Sequence, residues 1–290
     1  MRRVVRHGAK FGLKLGIKLT FGALALAGCS ALDMVDAVTP RGGYSLEANQ
    51  AYGSEARQKL DVYLPTGPED DTRPVVLFFY GGNWKMGSKA DYRFVGQSLA
   101  TAGYVTIVAD YRLYPAVSFP GFVDDGAAAT AWTASHMLKP DGSPRRIVLM
   151  GHSAGAYIAA MLAVDPRYLG PRRALIQAWI GLAGPYQFEP NEENGRILRS
   201  PDGRPNMAAD AAVAGAPPAF LLVAGDDELV GPVNADRLEA KLKSLGVPVL
   251  RKTYPGVHHA TLIGGLGSSF GFVAPVRADV LAYLAALPKD

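Results

Sequence analysis

Ile147-Val-Leu-Met-Gly-His-Ser-Ala-Gly-Ala-Tyr-Ile-Ala-Ala-Met-Leu162 is the stretch on which the reading of this chain turns. An unbroken apolar run leads into a turn with two glycines, and a helix-compatible stretch follows. Gly151-His152-Ser153-Ala154-Gly155 has the G-x-S-x-G form of a nucleophile elbow, in which a serine sits on a sharp strand-to-helix turn with its Oγ exposed. With 33 Gly in 290 residues, chance supplies about 0.2 such matches, so context must decide. Gly267-Ser-Ser269-Phe-Gly271 fits the same pattern, but it follows a Gly-rich loop and precedes no helix start. Ser153 is the candidate nucleophile; Ser269 is read as a loop serine.

Outward from this elbow the chain alternates. Apolar runs at Val75–Tyr80, Tyr104–Ala109, Arg146–Met150, Leu175–Gly181 and Ala219–Ala224, with a more mixed Val249–Tyr254, do not alternate in polarity as half-exposed strands do. They read as strands buried on both faces. Helix-length stretches lie between them at 89–102, 122–138, 154–164 and 233–245, with another at 273–287. A strand-like Lys59–Leu64, ended by Pro65, opens the series. Alternating strand and helix predicts an α/β fold with a mostly parallel central sheet flanked by helices. The segment 184–218, with Pro185, Pro190, Pro201 and Pro205, is long for a connection and reads as a short lid-like insertion or pocket wall. A chain of this length buries enough surface to fold without disulfide or metal staples. The domain is expected to span 57–290, after a tether at 29–56.

A serine hydroxyl is a weak nucleophile and needs a base held by an acid. Downstream of Ser153 only His258 and His259 remain as bases, and on residues alone either serves. The acid is expected just past the run Phe220–Ala224, where Asp226, Asp227 and Glu228 stand in succession. Phe79-Tyr-Gly-Gly-Asn-Trp84 follows the Val75 strand, and its consecutive glycines let backbone N–H groups turn toward a developing oxyanion. Five His and one Cys without ligand spacing predict no metal, and no nucleotide-binding fingerprint predicts no cofactor.

The formal charge of +4 does not signal nucleic acid. Residues 1–28 carry Arg2, Arg3, Arg6, Lys10, Lys14 and Lys18 and no acid, so 24 of the 30 basic groups remain against 26 acidic ones. This basic leader precedes a short apolar run, Leu19–Gly28, about half the length needed to span a bilayer, as in a signal peptide. Leu26-Ala-Gly-Cys29 resembles the bacterial lipobox, whose cysteine is lipidated and becomes the new N-terminus. The resemblance implies an exported protein, anchored in the cell envelope by lipid at Cys29. Ser30 would sort it to the outer membrane of a two-membraned host. A periplasmic or secreted protein with an ordinary cleaved leader is the alternative.

Taken together, Tyr52–Pro65, Gly81-Gly-Asn-Trp84, Asp110-Tyr-Arg-Leu113, Phe119-Pro120, Gly151–Gly155, Asp226-Asp227 with Val230, and His259-Ala260 resemble the α/β-hydrolase esterases. The likeness, from about Tyr52 to Leu287, is to bacterial carboxylesterases of the hormone-sensitive-lipase and feruloyl-esterase-like group. It implies a serine esterase acting on a small-molecule ester. The family's Asp-x-x-Val pattern would make Asp227 the acid, and its Tyr-Pro-Gly-x-x-His stretch would make His259 the base. Backbone donors would come from Gly82, Asn83 and Ala154. Tyr80 stands where many members have His, and Asn83 replaces a third glycine. Asp110, Arg112 and Asp125 are expected in structural pairs, His152 as a neighbour of the nucleophile and not a base, and Trp84 near the pocket mouth. An amidase, formamidase or peptidase on the same residues, or a non-catalytic surface-binding lipoprotein, are the other classes that fit.

Overall fold

The computed structural model describes residues 35–68 and 70–289. Among these residues eight strands form one sheet: β1 (Tyr44–Ala51), β2 (Lys59–Pro65), β3 (Val75–Phe79), β4 (Thr106–Ala109), β5 (Ile147–His152), β6 (Ile176–Leu182), β7 (Ala219–Ala224) and β8 (Val249–Tyr254). Their order is β1-β2-β4-β3-β5-β6-β7-β8. β1 pairs antiparallel to β2 and β2 antiparallel to β4; every other pairing is parallel. The apolar runs explain the interior, since β3, β4, β5 and β7 are buried along their whole length.

Direction of travel sets the helices. From β3 to β4 the chain moves one way across the sheet, through the helix Arg93–Ala100; from β4 to β5 it returns past β3, through Gly121–His136. Right-handed crossovers taken in opposite directions put these helices on opposite faces. The later crossovers, through Ala154–Val164 and Val233–Ser244, run in the second direction and share its face. On that face Gly126 leaves room for Ile158 and Leu162, either of which a Cβ there would approach within 3.0 Å. On the other, Arg277 of the closing helix Val276–Ala286 donates from Nε and Nη2 to Ser98 Oγ and O at 2.9 and 3.1 Å. Adjacent C-terminal ends of β3 and β5 therefore lie where the strand order reverses, the place where an α/β sheet opens a crevice for ligands.

Part of the stretch expected as a tether, 29–56, is instead sheet. β1 is almost wholly exposed, Tyr-Ser-Leu-Glu-Ala-Asn-Gln-Ala, and joins through backbone pairing. An edge strand of this kind has no buried face to impose an apolar pattern. Residues 1–34, with the expected signal peptide and Cys29, lie outside the described residues. Among the described residues no helix is long and apolar enough to cross a membrane.

Candidate active site

Ser153 sits between β5 and the helix Ala154–Val164 at φ 53°, ψ −122°, a conformation that L residues rarely adopt. The flanking glycines are sterically required. A Cβ on Gly151 would lie 2.2 Å from Gly155 O, and one on Gly155 would lie 2.0 Å from Phe79 O and 2.5 Å from Tyr80 O. Those close backbone approaches bring the elbow against the end of β3. The Ser153 amide donates to Leu182 O at the end of β6, 2.9 Å away, and fixes the turn from the other side.

Past β7, Asp227 Oδ1 accepts from the amides of Leu229 and Val230, each at 2.9 Å. Its Oδ2 lies 2.7 Å from His259 Nδ1, at the start of the helix His259–Gly264 after β8. Burial pushes the Asp227 carboxyl up, but the His259 imidazole and the two amides outweigh it and hold the group below the usual carboxylate range. An ionised carboxylate only accepts, so His259 Nδ1 carries the proton and Nε2 keeps a lone pair. Asp226 and Glu228 are exposed, and His258 turns to Asp226 O at 2.9 Å. Of the three acids and two histidines left open by the residues alone, the fold joins one pair.

Ser153, His259 and the loop after β3 line one cavity of about 500 Å³, within the range of small-molecule sites. Gly82, Asn83 and Ala154 line it as well, and among the described residues none of their amides donates a hydrogen bond. The backbone here is unusual: Gly82 has φ 137°, Asn83 52° and Trp84 57°. Gly82 could be nothing larger, because a Cβ would stand 2.1 Å from Met86 O. Three free donors beside a serine that lines the cavity and a lone-pair imidazole can hold a tetrahedral oxyanion and move a proton.

His152, between the elbow and His259, is 5% exposed, with its ring 4.8 Å from that of His259. Its Nε2 donates to His259 O at 3.3 Å, and its buried Nδ1 has no partner among the described residues. Burial, then the neighbouring His259, push it down to about 3, so it is a neutral spacer at working pH. Trp84 is among the residues lining the cavity, as expected of a residue near the pocket, but it is held from beneath. It is 1% exposed, stacked on Phe122 and edge-on to Tyr157, and its ring anchors the loop after β3 from inside. The segment 184–218 supplies Pro185, Phe188, Asn191, Glu193 and Asn194 to the cavity and contains the short helices Glu192–Ile197 and Ala208–Ala211. Arg112 forks onto Asp125, which is 1% exposed, and Asp110 lies 3.6 Å from Arg57. Ser269 is far from this chemistry: its Oγ reaches Val38 O. Among the described residues no group of His, Cys, Asp or Glu side chains is disposed to hold a metal.

Sheet order, elbow and site edge are those of the α/β-hydrolases, and solved structures agree. Esterase B of Lactobacillus rhamnosis, in a tributyrin phosphonate-inhibited form, superposes with TM-score 0.74 at 17% identity, over 91% of this chain and 93% of that one. An esterase from Pyrobaculum calidifontis gives 0.69 at 22% identity, with 90% of each chain covered. By sequence the chain is similar to esterases of that fold. The BD-FAE family profile matches residues 60–188. A probable isoprenylcysteine alpha-carbonyl methylesterase of Arabidopsis thaliana is 31% identical over 265 residues, covering 78% of this chain and 54% of the relative. Esterase LipC of Mycobacterium tuberculosis is 30% identical over 214 residues, 64% and 52% respectively. The chain thus spans about half the length of these curated relatives.

Proposed function

We propose that the protein is a serine hydrolase that cleaves carboxylic esters through an acyl-enzyme. The observation that carries this reading is the Asp227–His259 contact at 2.7 Å on the rim of a cavity that also holds Ser153 and three unpartnered amides. His259 Nε2 takes the proton of Ser153 as Oγ attacks the ester carbonyl, and Asp227 holds the ring in the required tautomer and stabilises the imidazolium. The carbonyl oxygen, now an oxyanion, rests on the amides of Gly82, Asn83 and Ala154. Collapse expels the alcohol, which leaves with the proton from His259. Water, deprotonated by His259, then releases the acid and restores the serine. Ester rather than amide cleavage is favoured by the relatives, which are named as esterases. We also propose that lipid at Cys29 anchors the domain to a membrane of the cell envelope, on the support of the Leu26-Ala-Gly-Cys29 pattern behind a basic leader.

The test is hydrolysis of p-nitrophenyl acetate, butyrate and octanoate by the full chain and by Ser153→Ala, Asp227→Ala and His259→Ala, with fluorophosphonate labelling in parallel. The reading expects turnover and labelling that both vanish in Ser153→Ala. A folded protein that neither turns over nor labels refutes it in favour of a binding protein, and labelling without ester turnover points to amide substrates.

A further inference from the structure

The loop that carries the Gly82 and Asn83 amides is held shut at its base by a residue from outside the loop. It leaves the sheet at Tyr80 and returns at Gly87, and the two ends touch. Gly87 has φ 98°, and a Cβ there would lie 2.9 Å from Gly81 O and 3.0 Å from the Tyr80 ring. Arg57, in the turn between β1 and β2, grips both ends with one nitrogen. Its Nη2 donates to Tyr80 Oη at 2.5 Å and to Gly87 O at 2.7 Å. Its Nε donates to Tyr111 O at 2.9 Å, and the Tyr111 hydroxyl donates in turn to Tyr80 O, also at 2.9 Å. The Tyr80 and Tyr111 rings stack with centroids 4.7 Å apart. Asp110, 3.6 Å from the Arg57 guanidinium, accepts from the Lys89 amide at 2.8 Å, just beyond the loop.

This clamp has a physical reason to exist. Asn83 and Trp84 stand in the left-handed region, and non-glycine residues held in sparsely populated conformations persist only where the surroundings over-determine them. From within, the buried Trp84 ring and the bond from the Tyr114 amide to Trp84 O at 2.8 Å secure one side. At the neck the Tyr80 ring is buried and stacked on Tyr92 and Tyr111, and Arg57 ties that ring's hydroxyl to the returning end at Gly87. Tyr80 suits this task because its hydroxyl, at the tip of a fully buried ring, meets the guanidinium from below.

We infer that Arg57 is a positioning residue for the oxyanion-holding amides: by tying Tyr80 to Gly87 it keeps the Gly82 and Asn83 N–H groups aimed at the oxygen on which the negative charge develops. The inference rests on the proposed role of those amides. Arg57 does not line the cavity, so it has no direct hold on bound ester. Its loss should be felt in the transition state alone, where an oxyanion must meet donors already in place.

Arg57→Ala, Arg57→Lys and Tyr80→Phe in the full chain test this. Three readouts apply: kcat and KM on p-nitrophenyl butyrate, inhibition by a trifluoromethyl ketone that forms a tetrahedral oxyanion on serine, and the thermal midpoint. Arg57→Ala is expected to lower kcat by about 10- to 100-fold with KM within about twofold, less than outright loss of a donor. Ketone affinity should weaken by the same factor as kcat/KM. Arg57→Lys should not restore the rate, because an ammonium has no fork to span Nη2 and Nε partners at once. Tyr80→Phe, which removes one grip, should fall between wild type and Arg57→Ala. A folded Arg57→Ala with kcat within twofold of wild type, or with raised KM and unchanged kcat, overturns the inference. Should Arg57→Ala not fold, Tyr80→Phe decides by the same readouts: parallel loss of rate and ketone affinity supports it, and unchanged kcat overturns it. Ser153→Ala keeps the two ideas apart, since residual turnover there sinks the parent mechanism, whereas a dead Ser153→Ala beside a fully active Arg57→Ala sinks this inference alone.

Discussion

Replacing His152 with Gln should flatten the acid side of the protein's stability curve. His152 is held at about 3 by burial and by the adjacent His259, whereas an unfolded histidine titrates near its ordinary value of 6.5. Near pH 8 the imidazole is neutral in both states and contributes nothing to the pH dependence. As pH falls below 6.5 only the unfolded chain takes up this proton, so stability present above that value is progressively lost until the folded group titrates near 3. The loss is about 1.4 kcal/mol per pH unit across that window, which makes it about 2 kcal/mol at pH 5, or about thirtyfold in the unfolding constant. Glutamine can still donate to His259 O but cannot titrate. Urea unfolding of both proteins at pH 8 and pH 5 isolates the effect, since the other titrating groups are common to both and cancel in the difference. Wild type should lose about 2 kcal/mol more than His152→Gln between the two pH values. The level of stability of the variant is immaterial; the slope carries the result. Equal pH dependence, within about 0.5 kcal/mol, would refute the reasoning, because it would mean that the fold protonates His152 as readily as water does.

Asp227→Asn should lower kcat by about 10⁴ with KM little changed, since the amide would present a donor to His259 and favour the wrong tautomer. Because Asp227 is held below the usual carboxylate range, its protonation should leave wild-type activity untouched until pH drops below about 4; an acid limb above that which disappears in Asp227→Asn would contradict it. Gly155→Ala should destabilise by about 3 kcal/mol and abolish turnover, as its methyl would sit 2.0 Å from Phe79 O, where only backbone could yield; a thermal melt and the butyrate assay check it. Arg112→Ala leaves Asp125, 1% exposed, without the fork that neutralises it and should cost about 3–5 kcal/mol, read from denaturant midpoints. Ser153→Gly should be inactive yet more stable by about 1 kcal/mol, because φ 53° is easy for glycine and strained for serine; a lower melting point would contradict the strain.

What the sequence discloses follows from how local each cause is. β3, β5 and β7 are legible because burial on both faces writes a continuous apolar run, and Ser153 because strand, turn and helix succeed one another within sixteen residues. β1 is not, since an exposed edge strand owes its place to backbone pairing with β2 and to nothing its side chains show. Asp227 is chosen over its neighbours by burial and by a histidine 32 residues away, which the residues alone leave open and only the family pattern anticipates. Trp84 is expected near the pocket and lines it, but the depth of its burial is not legible because its contacts, Phe122 and Tyr157, belong to two later helices. Arg57 gave no signal at all: its partners lie 23, 30 and 54 residues on, and a lone arginine in a polar turn looks like any solvated charge.

Backbone strain and pocket lining are distributed differently, and the difference bears on function. Of the five non-glycine residues at positive φ among the described residues, Asn83, Trp84, Ser153 and Ala183 follow β3, β5 and β6 at the site edge and Asn49 lies elsewhere. Each costs about 1–3 kcal/mol, and such strain survives where the structure beneath it cannot relax. Strands buried along their length, and a helix Ala154–Val164 buried on every side, supply that rigidity. The 184–218 wall sets Tyr186, Ile197, Leu198 and Ala208 in the core and is tied through the Phe119 amide to Ile197 O, the Tyr157 hydroxyl to Asn206 O and the Gln187 amide to Asn234 Oδ1, while its cavity side carries the exposed Lys85–Glu193 pair, whose worth is about 1 kcal/mol or less. The proposed nucleophile, base and oxyanion donors are therefore fixed near strand ends, while Phe188, Asn191 and Asn194, which face the cavity from the wall, lie outside the buried core. Changes to Phe188, Asn191 or Asn194 can reshape the cavity without disturbing the elbow, so on the proposed reading selectivity among esters would reside in a part of the chain that can alter while the chemistry stays in place.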